Sequence, residues 1–254
     1  GNFIFRLREF EQMEIEYFIE PPKTKKDWEK HFDAWLEEIH KYLKALGVDM
    51  TRVKDVPVAK EDRAHYSERT VDIEFVYPFG QKELYGLAYR TDYDLKAHGL
   101  KYKNPETGKE FVPHVIEPSL GVERTILAVL LSAYTEEVAP TADGKEDTRI
   151  VMKFPKEIAP VRVAVLPLSN KDELTNEAKK IWEALQKLFA TEYDDTQSIG
   201  KRYRRQDEIG TPFCVTVDFE TLEDKAVTVR DRDTMKQDRI KISNLRKYLT
   251  EKFQ

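Results

Sequence analysis

Cysteine is almost missing from this chain, with one, Cys214, in 254 residues. That excludes a disulfide framework and a cysteine-built zinc cluster. Cys214 stands inside the apolar run Pro212-Phe213-Cys214-Val215-Thr216-Val217 and reads as a small core residue. No apolar run approaches the roughly eighteen residues of a membrane helix, and no signal-peptide pattern occurs, so the expectation is a cytoplasmic protein with no membrane partner. The ten glycines form neither a Gly-x-x-x-x-Gly-Lys loop nor a dinucleotide fingerprint, so any ATP must be held without a P-loop. No internal repeat is visible.

What the chain has is a globular composition, 40% hydrophobic and 11% aromatic, with its 35% charged residues mixed in sign, which argues against disorder. The length fits one large or two ordinary domains, and the Pro-containing polar stretch from Ala139 to Pro160 reads as a linker between two, at 1–149 and 150–254. Residues 1–149 carry 22 Lys and Arg against 29 Asp and Glu, whereas residues 150–254 carry 20 against 18. The positive half contains Lys201-Arg202-Tyr203-Arg204-Arg205, four cations around one ring. Such a patch either contacts RNA phosphates and stacks on a base or is a solvated helix face.

Strand-like alternation marks the opening segment. From Phe10, the side chains of Phe10, Gln12, Glu14 and Glu16 fall on one face, the side of a site, and those of Met13, Ile15, Tyr17 and Ile19 on the other, the side of the core. Thr24 and Asp27 form a capping box, and Trp28, Phe32, Trp35, Leu36, Ile39, Leu43 and Leu46 recur at helical spacing until Gly47. Val71–Phe75 and Leu84–Arg90 alternate around Pro78-Phe79-Gly80 as a hairpin, and a strand follows over Val112–Ile116. Together these predict a mostly antiparallel sheet. Glu117-Pro118-Ser119-Leu120-Gly121-Val122-Glu123-Arg124 is expected to end that strand and open a helix, bringing a carboxylate, a hydroxyl and an arginine to a helix N-terminus. After the linker the pattern predicts an α/β domain, with strands at Val161–Leu166, Phe213–Phe219 and Ala226–Arg230 and helices over Leu174–Phe189, near Lys201 and from about Thr234.

The opening stretch, Glu117–Arg124 and Val229-Arg230-Asp231-Arg232-Asp233-Thr234-Met235 together resemble a class II glycyl-tRNA synthetase of the dimeric type, over nearly the whole chain. The resemblance implies a partial class II antiparallel catalytic sheet followed by an α/β anticodon-binding domain, an α+β and α/β pair. It implies a ligase that activates glycine with ATP and transfers it to tRNA(Gly), with magnesium accompanying the triphosphate. Phe10 takes the adenine-stacking role, Arg124 the third-motif arginine on the phosphates, and Arg6 a further ATP contact; Arg6 and Arg124 are the catalytic pair. Glu14, Arg90, Glu117 and Ser119 line the glycine pocket, and Glu117 is a candidate for ATP and magnesium contact. Carboxylates would secure the ammonium and crowd out any side chain, while arginines would stabilise the phosphate charge that develops. Lys201, Arg202, Tyr203, Arg204 and Arg205 would meet tRNA.

The chain starts within the second motif, so the resemblance implies the C-terminal portion of an enzyme that is a homodimer when complete. Two other readings compete. One is a catalytically silent paralogue that binds nucleic acid, similar to the accessory subunit of the mitochondrial DNA polymerase. The other is a class II synthetase for another amino acid, although the lack of paired Cys and His removes the zinc-dependent threonyl type.

Overall fold

The computed structural model describes residues 3–5, 7–140 and 146–253. The chain forms two compact units, Gly1–Ser132 and Ala133–Gln254.

In the first unit β1 (Gln12–Glu14) and β2 (Tyr17–Ile19) precede α1 (Lys25–Ala45), then β3 (Val53–Pro57), β4 (Arg69–Tyr77), β5 (Gly80–Thr91), the short α2 (Tyr93–Ala97), β6 (Tyr102–Lys103), β7 (Glu110–Phe111), β8 (His114–Gly121) and α3 (Val122–Ala133). The main sheet is antiparallel in the order β1-β8-β5-β4-β3, with β2 also paired to β8. Helix α1 starts where the alternation stops, and the Asp27 carboxylate accepts the Thr24 backbone N–H at 2.8 Å. Its Trp28, Phe32, Ile39 and Leu43 pack with Ile73, Phe75, Leu87, Tyr89, Ile116 and Leu120 of the strands and Ala128 of α3. The indole of Trp28 stacks on Tyr89 at 4.2 Å between centroids.

Because strand side chains alternate, that apolar face leaves the other face to polar and small residues. Asp72 on β4, Gly86, Ala88 and Arg90 on β5, and Glu117, Ser119 and Gly121 on β8 all interleave with buried neighbours. The opening alternation survives only in part. Ile19 is buried, but Met13, Ile15 and Tyr17 are exposed, because two three-residue strands on the sheet edge replace one continuous strand. Strand β8 also runs further than expected. It continues through Gly121, so Glu117 and Ser119 are strand residues and not a helix entry.

In the second unit β9 (Tyr134–Pro140) pairs with β10 (Glu146–Met152), followed by β11 (Val163–Pro167), α4 (Asp172–Leu185), β12 (Thr191–Tyr193), α5 (Ile199–Ile209), β13 (Phe213–Val217), α6 (Phe219–Asp224), β14 (Ala226–Asp231), β15 (Gln237–Lys241) and α7 (Ile242–Lys252). The expected linker is therefore partly strand. Arg149 of β10 is 1% exposed and donates to Asp207 of α5 at 3.0 Å and to the Arg232 carbonyl at 3.0 Å, tying the hairpin into this unit.

The five-stranded sheet runs β12-β11-β13-β14-β15, parallel over its first three strands and antiparallel over the rest. Leu174, Ile181 and Leu185 of α4 and Leu245 and Leu249 of α7 cover it with Val163, Val215 and Val227. Ala164, Leu166 and Cys214 pack with Ile199 and Tyr203 of α5. Cys214 is buried as expected, and burial pushes its thiol up to about 12. The last helix begins at Ile242 rather than near Thr234, because Asp231 accepts the Thr234 N–H at 2.8 Å in a turn that leads into β15. Among the described residues no helix is long and apolar enough to cross a membrane.

Candidate active site and anticodon-binding unit

Register aligns the expected site residues on the polar face of the first sheet. Glu14 on β1 lies opposite Ser119 on β8, Ser119 opposite Gly86 on β5, and Gly86 opposite Asp72 on β4. The next row places Glu117 opposite Ala88. Gly86 and Ala88 therefore floor a trough; a Cβ added at Gly86 would meet nothing within 4 Å. Gln12 donates to the Ser119 hydroxyl and, at 3.1 Å, to the Glu14 carboxylate.

At one end of the trough, Arg90 donates from Nη1 to Glu117 at 2.7 Å and from Nε to Asp94 at 2.8 Å. The Tyr66 ring covers the same guanidinium at 4.1 Å. Burial pushes the Glu117 carboxyl up to about 7, with Glu16 and Glu14 adding to the rise and Arg90 opposing it. Asp72 is likewise pushed up to about 6, by burial and then by Glu83 and Glu74. The site thus carries more carboxylate than its one arginine balances, which suits a ligand bringing a positive charge.

At the other end, a cavity of about 250 Å³ is lined by Phe5, Leu7, Phe10, Gln12, Glu83, Ser119, Gly121 and Arg124, among others. Phe10 and Arg124, distant in sequence, share this one space. Arg124 sits in the first turn of α3, donates to the Glu83 carbonyl at 3.1 Å, pairs with the Glu83 carboxylate at 3.2 Å and lies 5.2 Å from the Phe5 ring centroid. A ring wall and a guanidinium in one cleft suit a planar base carrying phosphates. Arg6 lies outside the described residues.

The structure brings together Glu14, Arg90, Glu117 and Ser119, and separately Phe10 with Arg124. The sequence reading did not single out Tyr66, Asp72, Glu83, Gly86 or Asp94. Gly86 and Ala88 were signalled by small residues alternating with Tyr85, Leu87 and Tyr89; Tyr66 carried no such signal. Glu117 is engaged by Arg90, and among the described residues no three His, Cys, Asp or Glu side chains are grouped to hold a metal ion. Magnesium arriving on a triphosphate needs only one or two protein carboxylates, so that absence does not bear on it.

In the second unit the basic run on α5 departs from expectation. Arg202 is 1% exposed and donates to the carbonyls of Pro167, Asp195, Thr196 and Gln197 and to the Asn170 side chain. Five acceptors around one buried fork make it a structural clamp, not an RNA contact. Tyr203 packs under Arg230 and bonds the Thr216 hydroxyl at 2.5 Å. Arg205 is held by Asp194 at 3.0 Å, and Arg204 lies 3.6 Å from Asp207. Lys201 is exposed.

Residues 3–133 match the family described as tRNA synthetase class II core domain (G, H, P, S and T), and residues 162–252 match the anticodon binding domain. Similar proteins include the glycine-tRNA ligase of Thermobifida fusca, 49% identical over 99% of this chain and 56% of the relative. Those of Ruminiclostridium cellulolyticum and Staphylococcus haemolyticus are 51% and 50% identical over 100% and 99% of this chain and 54% of each relative. The chain thus spans about half the length of the curated relatives it matches. The core-domain match covers more than half of its residues, and the chain belongs to the class II tRNA synthetases.

Proposed function

We propose that the protein carrying this chain is a cytoplasmic, homodimeric glycine-tRNA ligase that joins glycine to ATP as glycyl-adenylate and then transfers it to tRNA(Gly). The observation that carries this reading is the Arg90–Glu117 pair set in a surplus of carboxylates beside Ser119, above a floor of Gly86 and Ala88. An ammonium satisfies that surplus and a carboxylate satisfies Arg90, and Glu14 and Glu117 on the walls would disfavour a larger side chain.

The nucleotide would take the cleft shared by Phe10 and Arg124, its base against the ring and its phosphates toward the guanidinium, with Arg6 a further phosphate contact. In that arrangement the glycine carboxylate oxygen attacks the α-phosphorus, an acyl-phosphate bond forms and pyrophosphate leaves. Arg124 stabilises charge gathering on the phosphates, and no covalent enzyme intermediate is needed. Magnesium would arrive with the triphosphate and supply further neutralisation of its charge. In the second unit, Lys201 and the outer edges of Arg204 and Arg205 are the part of the basic run left for tRNA.

The test is amino-acid-dependent exchange of pyrophosphate into ATP, with glycine, alanine and serine compared, on this chain and on a polypeptide of the relatives' full length. Exchange with glycine alone is the expected result. Exchange with alanine or serine at equal rates would overturn the glycine assignment, and none with any amino acid would overturn the ligase reading.

A further inference from the structure

Arg90 stands at an irregular point of its strand. The β5–β8 pairing runs in register from Tyr85 opposite Leu120 to Tyr89 opposite Ile116 and resumes with Thr91 opposite Val115, so Arg90 is an extra residue with no partner on β8. The pairing with β4 has also ended by then, at Tyr89 opposite Arg69. Thr91 follows with φ of 59°, in the left-handed region. A bulge of this kind re-aims a side chain and interrupts the ladder around it, so the backbone alone does not fix where the Arg90 guanidinium points.

Side chains fix it instead. Asp94 accepts from Nε at 2.8 Å and Glu117 from Nη1 at 2.7 Å, while Nη2 has no acceptor among the described residues. Asp94 reaches Arg90 across a strand end, a left-handed residue and the first turn of α2, which is not the route of an ordinary helical pair four residues apart. Its carbonyl accepts the His98 N–H at 3.0 Å, so α2 anchors the backbone that carries the carboxylate. Asp92, the neighbouring acid, pairs with Lys96 at 3.9 Å instead. An acid in a first helical turn is commonly explained by the helix dipole. Here the helix has five residues, and the bond to Arg90 is the largest cause holding the Asp94 carboxyl below its ordinary range.

We propose that Asp94 is a positioning residue for the amino-acid pocket: by holding Nε it keeps Nη1 on Glu117 and leaves Nη2 open for the carboxylate of the ligand. The purpose rests on the glycine reading of the pocket, whereas the hold on Arg90 does not. Without Asp94 the guanidinium is free to turn and close both Nη groups on Glu117 as a bidentate pair, which leaves an incoming carboxylate no free donor.

The hold is read in this chain from the side-chain Nε–H resonance of Arg90 in protein made with isotope-labelled arginine, assigned by its loss in Arg90→Lys. The wild type is expected to show that proton in slow exchange with water, and Asp94→Ala to lose it. Asp94→Asn, which keeps an acceptor oxygen at the same place, is expected to retain it. Equal protection in Asp94→Ala overturns the proposal.

In a polypeptide of the relatives' full length, Asp94→Ala is expected to lower kcat/KM for glycine in pyrophosphate exchange by about ten- to a hundredfold and to leave the KM for ATP unchanged. A general loosening of the fold would move both. Asp94→Asn should recover most of the loss. Asp94→Ala added to Arg90→Lys should cost little beyond Arg90→Lys alone, because Asp94 acts only through the Nε–H that lysine lacks. Losses that multiply, an ATP KM that rises in step, no loss in Asp94→Ala, or an equal loss in Asp94→Asn each overturn the positioning role. A protected Nε–H in a wild-type protein that activates no amino acid keeps Asp94 as the hold on Arg90 and removes the glycine reading.

Discussion

Glu117 offers a quantitative handle on the amino-acid pocket. Its carboxyl is pushed up to about 7 because burial, Glu16 and Glu14 together outweigh Arg90, so near neutral pH roughly half of the empty sites hold a proton there. An incoming ammonium favours the ionised carboxylate, and glycine binding must release that proton whenever the pH lies below the raised value. With one proton released, apparent glycine affinity should rise about tenfold between pH 6 and pH 8, about 1.4 kcal/mol, and level off above. Glu117→Gln cannot titrate, so its profile should be flat across that range. Its glycine KM at pH 8 should rise by about ten- to a hundredfold, the loss of one hydrogen bond to a charged group. The assay is the glycine KM in pyrophosphate exchange from pH 5.5 to 8.5. A wild-type KM that is constant from pH 6 to 8, or a slope that persists in Glu117→Gln, would refute the argument.

Other consequences are as direct. Arg124→Ala should cost about 3–4 kcal/mol of transition-state stabilisation in glycine activation, seen as a kcat loss of a hundredfold or more in pyrophosphate exchange. Asp207 is buried between Arg149 and Arg230, so Asp207→Asn leaves Arg230 buried without a counter-charge and Arg149 with Glu137 alone, and should lower stability by about 3–5 kcal/mol in urea unfolding of this chain. Asp72, raised to about 6, binds its proton more tightly folded than unfolded, a contribution present below its ordinary range near 4 and lost as pH rises through about 6. Asp72→Asn should therefore gain about 1–2 kcal/mol relative to wild type at pH 8, with little difference near pH 4, in melts at both pH values. Lys201→Ala should leave stability within about 0.5 kcal/mol and reduce the salt slope of tRNA binding by about one, whereas Arg202→Ala should cost about 2–4 kcal/mol in unfolding.

How much of this the sequence disclosed follows from how local each signal was. Helix α1, its capping box and the β4–β5 hairpin rest on neighbours three to ten residues apart, and they stand where periodicity and turn residues place them. The grouping of Glu14, Arg90, Glu117 and Ser119 came from a family resemblance, and register then gave it a physical basis. Asp72 stayed hidden because its importance lies in pairing across strands, and Tyr66 because it reaches Arg90 from a turn ahead of β4; no local pattern encodes either. Strand β15 was missed because Gln237–Lys241 is a charged edge strand with no apolar alternation. The supposed linker failed for a similar reason: Arg149 reads as a solvent-seeking residue until its partners on α5 and at Arg232 are known.

The basic run on α5 shows why counting cations misjudges a surface. Arg149, Arg202, Arg230 and Arg232 are all at most 5% exposed, and each donates to two or more acceptors inside the second unit. Exposed cations in the same unit are mostly lysines, among them Lys179, Lys187, Lys201, Lys225, Lys236 and Lys247. The division follows from side-chain chemistry. A planar guanidinium with five donors can satisfy several carbonyls and carboxylates at once and remain charged when buried, whereas an ammonium is strongly hydrated and stays at the surface. Arg202 illustrates the first case by gathering the carbonyls at the end of β11 and along 195–197 around one group, fixing the loop that enters α5. Much of this unit's arginine charge is therefore held in internal ties, and the attraction available to a polyanion comes from lysines spread over its surface. Binding through such a surface is carried by few counter-ions and should show a shallow salt dependence, with specificity supplied by base contacts rather than by charge.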